Sequence, residues 1–425
     1  MLLFISWSQA ETFLKIGHAE RDITPPNELI NWITKEAYPG VLDPLYVRST
    51  YLYDGQTEVV LLSWDLLDAH ESSVDEVTKQ IEETTGIPAS NMIVNASHTH
   101  SAPWSPRPLN RWPQSNRKGI FTSQSSDVFE RWSHHLYRSA VEAANESKHQ
   151  AQTVTPMISR VRVPEVLFNR RPRDESNKVV TTFRPTDPYT LPNGLRFGPV
   201  DDVVKILWFD SINTKKPGES FLLFHLPCHS VSIYSADSRY SGDWSSRTID
   251  VLKSTPGLNA QFLQGCAGDI VPSDRGIAAR ETMAELIANR ITRSKQYKHP
   301  LSHLSIRVAS QKLALPLREE IRKQLKIEFI PVELRAISIG PLAMITLPGE
   351  PLTGLAIDIK EASPFPHTWV LGYSNGHGVH YVGREGEREL GGYEMGLASH
   401  GQDECGTLLT EAAVELLHTL QQKDN

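Results

Sequence analysis

Two histidines, His98 and His100, lie two positions apart in the segment NASHTHSAPW. They follow the apolar run 92–94, which is typical of a buried strand that ends in a loop. Because strand side chains alternate in direction, we expect both imidazoles to project to the same side. Imidazole is a common ligand of zinc, so the pair predicts a metal or catalytic site. The alternative is that both histidines only cap the strand and bond to loop backbone.

Further apolar runs also end in side chains that bind metals or move protons. These runs lie in FLLFHLPCHSVS, MITLPGEP, AQFLQGCAGDIVP and the Gly-rich turn YSNGHGVHYVG. The residues concerned are His229, Glu350, Asp269, His377, His380 and Tyr381. Each alone has a structural explanation, such as a helix-start glutamate or a turn-forming aspartate. Active sites of layered α/β proteins gather at strand ends. Metal-binding side chains at the ends of several apolar runs therefore favour one common site.

Composition narrows the class of protein. The 425 residues are 39% hydrophobic and carry a formal net charge of −7, with both signs mixed along the chain. This excludes a basic nucleic-acid surface, and no apolar run is long enough for a transmembrane helix. The three cysteines have no zinc-ribbon spacing, and the sequence leaves open whether two of them form a disulfide. We therefore expect neither a nucleic-acid partner nor an integral membrane segment.

The order of elements predicts one large α/β (mixed α+β) domain over residues 14–421. Central β-sheets are flanked by helices, and the metal site lies at strand ends. Helices are predicted at 71–85, 127–149, 245–254, 276–294, 317–326, 351–361 and 404–421. Ser72 and Ser73 are candidate caps of the first helix. The stretches 103–126 and 169–200 are predicted to be long loops over the site.

Residues 1–10, MLLFISWSQA, combine an apolar stretch with a Ser-Gln-Ala end. This is compatible with the remnant of a signal peptide or with an N-terminal strand. We expect a secreted or periplasmic protein.

Seven segments together resemble the catalytic N-terminal domain of the neutral/alkaline, non-lysosomal ceramidase family. They span residues 16 to 394 in the order found in that family. The segments are IGHAERDITPP, NASHTHSAP, FNRRP, HLPCHSVS, QGCAGDIVP, LPGEP and NGHGVHYVGREGERELGGYE. We expect a divergent, single-domain relative without the C-terminal β-sandwich domain of the ceramidases.

The resemblance implies a zinc amidohydrolase, in which metal-activated water attacks an amide carbonyl. The zinc ligands of the family correspond to His98, His229, Glu350 and Tyr381. Two groups that face the reacting carbonyl correspond to His100 and Arg170. Such an N/O ligand set suits Zn²⁺. Asp269, as a further catalytic candidate, and Asp243 are expected to orient the ligating histidines.

Departures from the family pattern bear on the substrate. Val271 stands where the ceramidases carry a serine, and Ser273 substitutes for it only if the loop differs. The GHGVHY turn is one residue longer than usual, which brings His377 or His380 within reach of the site. Trp104, Trp112 and the Arg/Asp-rich stretch 169–186 are expected to surround the mouth of the site. This composition favours a polar small molecule, a glycan or a lipid headgroup as the substrate. The predicted substrate-binding residues are Trp104, Asn169, His377 and His380, with Trp112 nearby.

Three functions therefore stand after the sequence alone. The first is a zinc-dependent hydrolase of an amide (N-acyl) bond in a polar substrate. The second keeps the metal and acts on an ester or a glycosidic, carbohydrate-linked bond. The third is a non-enzymatic ligand-binding relative, and the full set of ligands argues against it.

Overall fold

The computed structural model describes residues 13–108, 124–180, 194–212, 220–234 and 236–422. The strands are β1 Leu14–Asp22, β2 Tyr46–Tyr53, β3 Glu58–Trp64, β4 Met92–Ala96, β5 Gln152–Arg162, β6 Leu167–Asn169, β7 Val203–Ser211, β8 Ser220–Leu226, β9 Leu258–Gln264, β10 Ile270–Pro272, β11 His299–Pro300, β12 Ile306–Pro316, β13 Phe329–Ile339, β14 Leu342–Thr346, β15 Glu350–Pro351, β16 His367–Leu371 and β17 Tyr381–Val382. The helices are α1 Glu71–Thr85, α2 Asp127–His149, α3 Asp243–Lys253, α4 Ile277–Ser294, α5 Glu319–Leu325, α6 Thr353–Ala362, α7 Glu387–Leu390 and α8 Cys405–Gln422.

Two large sheets pack face to face between layers of helices. Alternate residues of β3 show the division, since Val60 and Leu62 face α1 and α2 while Val59 and Leu61 face the second sheet. Strands β7, β8 and β9 likewise pack one face against the helices α3 and α4. The second sheet packs its far side against α6 and α8. Strands buried on both faces read as continuous apolar runs, which explains why period-2 alternation is weak in this sequence.

The main sheet has the order β4-β3-β2-β1-β5-β7-β8-β9, and β11 pairs with β5. Its edge strands β4 and β9 run parallel to their neighbours, while the pairs between them are antiparallel. The second sheet has the order β12-β13-β14-β16, and β14 and β16 are parallel. The mixed α/β fold class predicted above is therefore confirmed.

The predicted helices agree with the structure to within a few residues, with one local correction at a helix cap. The cap of α1 is His70, whose side chain accepts a hydrogen bond from the Ser72 backbone N–H, so neither Ser72 nor Ser73 is the cap. The apolar stretch 331–347 is a hairpin, because the chain turns at Gly340 with φ 52°.

Buried amides join the two edges of the main sheet. Asn95, in β4, accepts a hydrogen bond from the Gln264 backbone N–H at 2.8 Å and donates to the Gln264 carbonyl at 3.2 Å. Asn95 also donates to the Gly372 carbonyl, beyond β16, at 2.9 Å. The carboxyl ends of β4, β9 and β16 are thereby drawn together.

Some predictions concern residues outside the ranges that the structure describes. Residues 1–10 lie outside them, as do Trp112 and most of the loop 103–126. Export accordingly stays a prediction. Among the described residues, no helix combines the length and apolar character needed to cross a bilayer. All three cysteines are buried free thiols.

Candidate metal centre

His98 and His100 lie beyond the end of β4, so strand alternation is not what aligns them. The strand stops at Ala96, and His98 adopts a left-handed conformation with φ 60°. Thr99 then forms an isolated bridge with Ser230. The two imidazoles nevertheless meet, with 3.2 Å between their Nε2 atoms. The predicted convergence is present, and a strained loop produces it.

Backbone carbonyls fix the tautomers of the two most buried histidines. The Nδ1 of His98 lies 2.6 Å from the Leu67 carbonyl, and the Nδ1 of His229 lies 2.5 Å from the Ala267 carbonyl. A carbonyl only accepts, so each Nδ1 carries the proton and donates it. The Nε2 atoms of both rings are therefore the ones that face the cluster.

Glu350 and Tyr381 complete a set of converging acceptor atoms. The Oε2 of Glu350 lies 3.3 Å from His98 Nε2 and 3.2 Å from His229 Nε2. The Tyr381 hydroxyl lies 3.4 Å from His229 Nε2. Ligands bonded tetrahedrally to zinc at 2.0–2.1 Å lie about 3.3–3.4 Å apart. The positions of these side chains therefore fit a metal ion.

The protonation states suit the same purpose. Burial lowers the pKa of His229 from 6.5 to about 3, so its ring is neutral at pH 7. Burial alone would raise the pKa of Glu350, but the imidazoles around it, His98 first, hold that pKa well below its usual value. Burial, together with Glu350, raises the pKa of Tyr381 well above its usual value. The cluster thus presents the neutral imidazole of His229, the ring of His98, a carboxylate and a phenol, which are ligand types found on zinc.

A second ligand set overlaps the first. One ring nitrogen from each of His98, His100 and His229 lies within 4.8 Å of the others, so these three histidines could also hold a metal ion. His100 is less buried than the other two. Burial and the neighbouring His98 lower its pKa well below the usual value, so it too is neutral at pH 7.

Arg170 borders the cluster. Its guanidinium donates to the Tyr381 hydroxyl at 2.9 Å and to the Gly268 carbonyl at 2.9 Å. An ion pair with Glu394 at 2.7 Å fixes its direction. The positive charge is therefore held next to the hydroxyl that faces His229.

The two aspartates do not orient the histidines, and this prediction is wrong. The Asp269 carboxylate accepts hydrogen bonds from the Thr353 backbone and hydroxyl, at 2.8 Å each, and from Asn169 at 2.7 Å. The Asp243 carboxylate accepts backbone N–H bonds in its own loop region, as from Ser232 at 3.1 Å. Backbone carbonyls already occupy Nδ1 of both His98 and His229, so a carboxylate partner is unnecessary. Asp269 instead joins its loop to the start of α6.

Of the four predicted substrate-binding residues, Trp104, His377 and His380 have rings that lie against one another beside the cluster, and Asn169 lies apart from them. Asn169 is buried, and its amide donates to Asp269 and to the Pro199 carbonyl, so it braces the loop and does not face a ligand. Trp104 is also buried, and its ring packs over Arg107. His377 lies beside Asp68, with 3.2 Å between Nδ1 and Oδ2. His380 is the one that reaches the cluster, with its Nε2 2.9 Å from Glu350 Oε1.

The sequence-based prediction missed several residues of the site. Tyr373 stacks on His98 with 4.2 Å between ring centroids, and its hydroxyl lies 3.4 Å from Glu350 Oε2. Trp32 and Tyr234 flank His100, at 5.9 and 5.1 Å between centroids. Glu394 ends the GGYE segment quoted above, so its place in that segment was an available signal. Trp32 had no such signal, because it lies far away in the chain.

The fold and the cluster together define a layered α/β protein with a histidine-rich, metal-capable site at its strand ends. Its fold is ceramidase-like. The crystal structure of neutral ceramidase from Pseudomonas aeruginosa superposes with a TM-score of 0.76 and 15% identity, covering 97% of this chain and 75% of that one. A structure described as a ceramidase complexed with C2 gives 0.74 and 14%, covering 97% and 76%. No protein-family model matches the sequence, and neither does any curated protein.

Proposed function

We propose that this chain is a zinc-dependent amidohydrolase that hydrolyses an N-acyl bond of a polar substrate. The observation that carries the proposal is the convergence of His98 Nε2, His229 Nε2, Glu350 Oε2 and the Tyr381 hydroxyl at 3.2–3.4 Å. These four side chains would hold the metal. When bound, zinc supplies Lewis acidity, which polarises a carbonyl and lowers the pKa of water.

The remaining side chains supply proton transfer and charge. His100 is neutral and lies next to the ligands on their more open side, where its ring can take up a proton and return it to the leaving amine. Arg170 holds a fixed positive charge beside Tyr381, where it can stabilise negative charge that develops on the carbonyl oxygen. Glu394 prevents that guanidinium from turning away.

The surroundings of His100 support a polar substrate. Trp32 and Tyr234 give flat faces, and Arg275 lies over the Tyr234 ring at 5.5 Å. Aromatic faces with a guanidinium suit a ligand that has hydroxyls or a negative charge, such as a glycan or an acidic headgroup. Val271 is buried against Phe168 and offers no hydroxyl to a substrate. An ester or glycosidic bond is the alternative target, because the same apolar Val271 stands where the ceramidases carry their serine.

Elemental analysis of purified protein tests the metal. We expect about one zinc per chain in the wild type and a large loss in His229→Ala, since four ligands are the usual number for zinc. His225→Ala is the matched control, because His225 is equally buried on the same stretch of chain and donates to the Leu263 carbonyl outside the cluster. Full zinc retention in His229→Ala would contradict the ligand assignment.

A substrate panel tests the reaction. We expect turnover of polar N-acyl compounds and little or none of a fluorescent long-chain ceramide. Loss of a positioned hydrogen-bond donor costs about 3 kcal/mol in the transition state, and Val271 cannot donate. Aryl esters and glycosides in the same panel test the alternative, in which the enzyme hydrolyses an ester or glycosidic bond. Ceramide turnover at ordinary enzymatic rates would refute the argument from Val271, and Val271→Ser shows whether the serine alone restores that activity.

A further inference from the structure

His380 belongs to the histidine-rich turn 376–381, which the proposed function does not use apart from Tyr381. Its Nε2 lies 2.9 Å from Oε1 of Glu350. An ionised carboxylate only accepts hydrogen bonds, so His380 is the donor and carries its proton on Nε2. This leaves the other oxygen, Oε2, as the one that faces His98 and His229.

The direction of the Glu350 carboxylate needs such a contact. The terminal torsion of a glutamate is broad and has no strongly preferred angle, so this torsion alone does not fix the angle at which a carboxylate oxygen points into the cluster. A hydrogen bond to Oε1 removes that freedom. The Tyr373 hydroxyl, at 3.4 Å from Oε2, is a much weaker restraint.

The backbone joins the same two residues a second time. The Glu350 N–H donates to the His380 carbonyl at 2.9 Å, and β15 pairs with β17 in parallel. Gly349 permits this close approach, because a Cβ atom there would lie 2.3 Å from the His380 carbonyl oxygen. His380 itself adopts φ 65°, a conformation rare for a residue with a side chain. Strain of this kind persists where the surroundings impose it, and it clusters at functional sites.

A further layer holds the His380 ring. The His377 ring stacks on it with 4.9 Å between centroids and 26° between planes. His377 is held in turn by Asp68, at 3.2 Å, and Asp68 pairs with Arg107. The ring therefore has both a stacking surface and an anchored support behind it.

From these contacts we propose that His380 is a positioning residue: it donates to Oε1 of Glu350 and thereby presents Oε2 to the metal. It was predicted to bind substrate, and this role replaces that one. The inference rests on the proposed function, since it concerns a ligand of the proposed zinc ion. His380 acts through Glu350 and need not touch the metal or the substrate.

Three substitutions separate the hydrogen bond from the ring and from the backbone. His380→Gln keeps an N–H donor at similar reach. His380→Leu removes the donor, and Leu pays about the same cost as Gln for the positive φ at this position. His380→Asn tolerates positive φ well but is too short to reach Glu350. Zinc affinity is measured by chelator competition, folding by circular dichroism, and coordination geometry by the visible absorption of the Co²⁺-substituted protein.

We expect His380→Leu and His380→Asn to bind zinc 10- to 100-fold more weakly and to change the Co²⁺ spectrum, as is typical when an outer hydrogen-bond partner is lost. His380→Gln should retain most of the affinity and the wild-type spectrum. His400→Leu is the control, because that ring lies 5.4 Å from His380 and makes no hydrogen bond to Glu350 among the described residues. It should leave the affinity unchanged. If His380→Leu does not fold, the comparison of Asn with Gln decides.

Two results would overturn the proposal while leaving the zinc site intact. One is unchanged affinity in both Leu and Asn variants. The other is a loss in His380→Gln as large as in His380→Leu, which would make the ring itself a ligand. A wild-type protein that binds no zinc would overturn the proposed function and this inference together.

Discussion

Residues of the cluster adopt backbone conformations that side-chain-bearing residues rarely use. His98, Tyr373 and His380 have φ of 60°, 52° and 65°, and all three surround Glu350. Each such residue costs about 1–3 kcal/mol, which the surrounding packing has to offset. The strain turns His98 out of its strand direction and toward His100, so the chemistry of the pair depends on the loop.

His100→Ala tests how the roles of the two histidines are divided. We expect metal content to stay near the wild-type value, because His98, His229, Glu350 and Tyr381 remain. Turnover should fall by roughly 10² to 10⁴, the usual effect of losing an acid/base or charge-stabilising group. Elemental analysis and steady-state kinetics on one preparation measure both quantities. Loss of the metal would instead favour the three-histidine site.

At the scale of elements, β9 ties together the two loops that carry His98 and His229. Gln264 is the last residue of β9, and its side chain is fully buried. Its amide nitrogen donates to the Ser97 carbonyl at 3.1 Å and to the Cys228 carbonyl at 2.8 Å. Its amide oxygen accepts from the Cys228 N–H at 3.2 Å. Each contact lies one residue before a proposed ligand. One amide thus sets the spacing of both histidine loops.

Gln264→Leu should affect stability and metal binding together. A buried backbone group left without a partner costs about 1–3 kcal/mol, so we expect the free energy of unfolding to fall by roughly 2–4 kcal/mol. Zinc affinity should also fall, since the Ser97 and Cys228 loops lose their common anchor. Urea denaturation and chelator competition measure the two effects.

Gln261→Leu provides the comparison on the same strand. Gln261 is equally buried, but its amide bonds the Leu61 carbonyl and the Thr50 hydroxyl, away from the histidine loops. It should lose stability and keep its zinc affinity. An equal loss of affinity in both variants would show that general loosening of the sheet, and not the Gln264 bridge, is responsible.

At the scale of the whole molecule, ionisable atoms are shielded from solvent outside the site as well. His18, in β1, stacks on Phe221 with 4.3 Å between ring centroids, and solvent does not reach its ring nitrogens. Burial lowers its pKa from 6.5 to about 3. The folded protein therefore keeps this ring neutral across a range of pH in which the unfolded chain protonates it.

This difference predicts acid sensitivity with a definite sign. Between pH 6.5 and about 3 the unfolded state binds a proton at His18 that the folded state does not, so stability falls as the pH falls. The slope from one such group is at most about 1.4 kcal/mol per pH unit. Urea denaturation of metal-free protein at pH 7, 6 and 5 should give a shallower decline for His18→Gln than for the wild type. The exposed His134→Gln serves as control, and equal slopes for all three proteins would contradict the prediction.

The sequence alone determined the kinds of element and which loops carry the histidines and the glutamate of the cluster. Apolar runs and helix periodicity, as in α2 at 127–149, depend on local order, which short windows of sequence contain. The loops rich in small residues and Pro that follow strands identified His98, His229 and Glu350 as candidates, because this signal is also local in the sequence. The ceramidase-like fold followed from seven short segments, and the superposition agrees with it.

Only the tertiary structure decided how these residues meet. The partners of His98 and His229 are backbone carbonyls of distant loops, and a carbonyl has no side chain by which a sequence could mark it. The same holds for Asp269, whose partner Thr353 lies 84 positions away and which therefore braces α6 instead of a histidine. His380 reaches Glu350 because two short parallel strands and the absence of a Cβ at Gly349 bring the loops into contact. Hydrogen bonds act over about 3 Å, whereas sequence patterns report only neighbours along the chain, so the direction of each side chain in the site was fixed by packing.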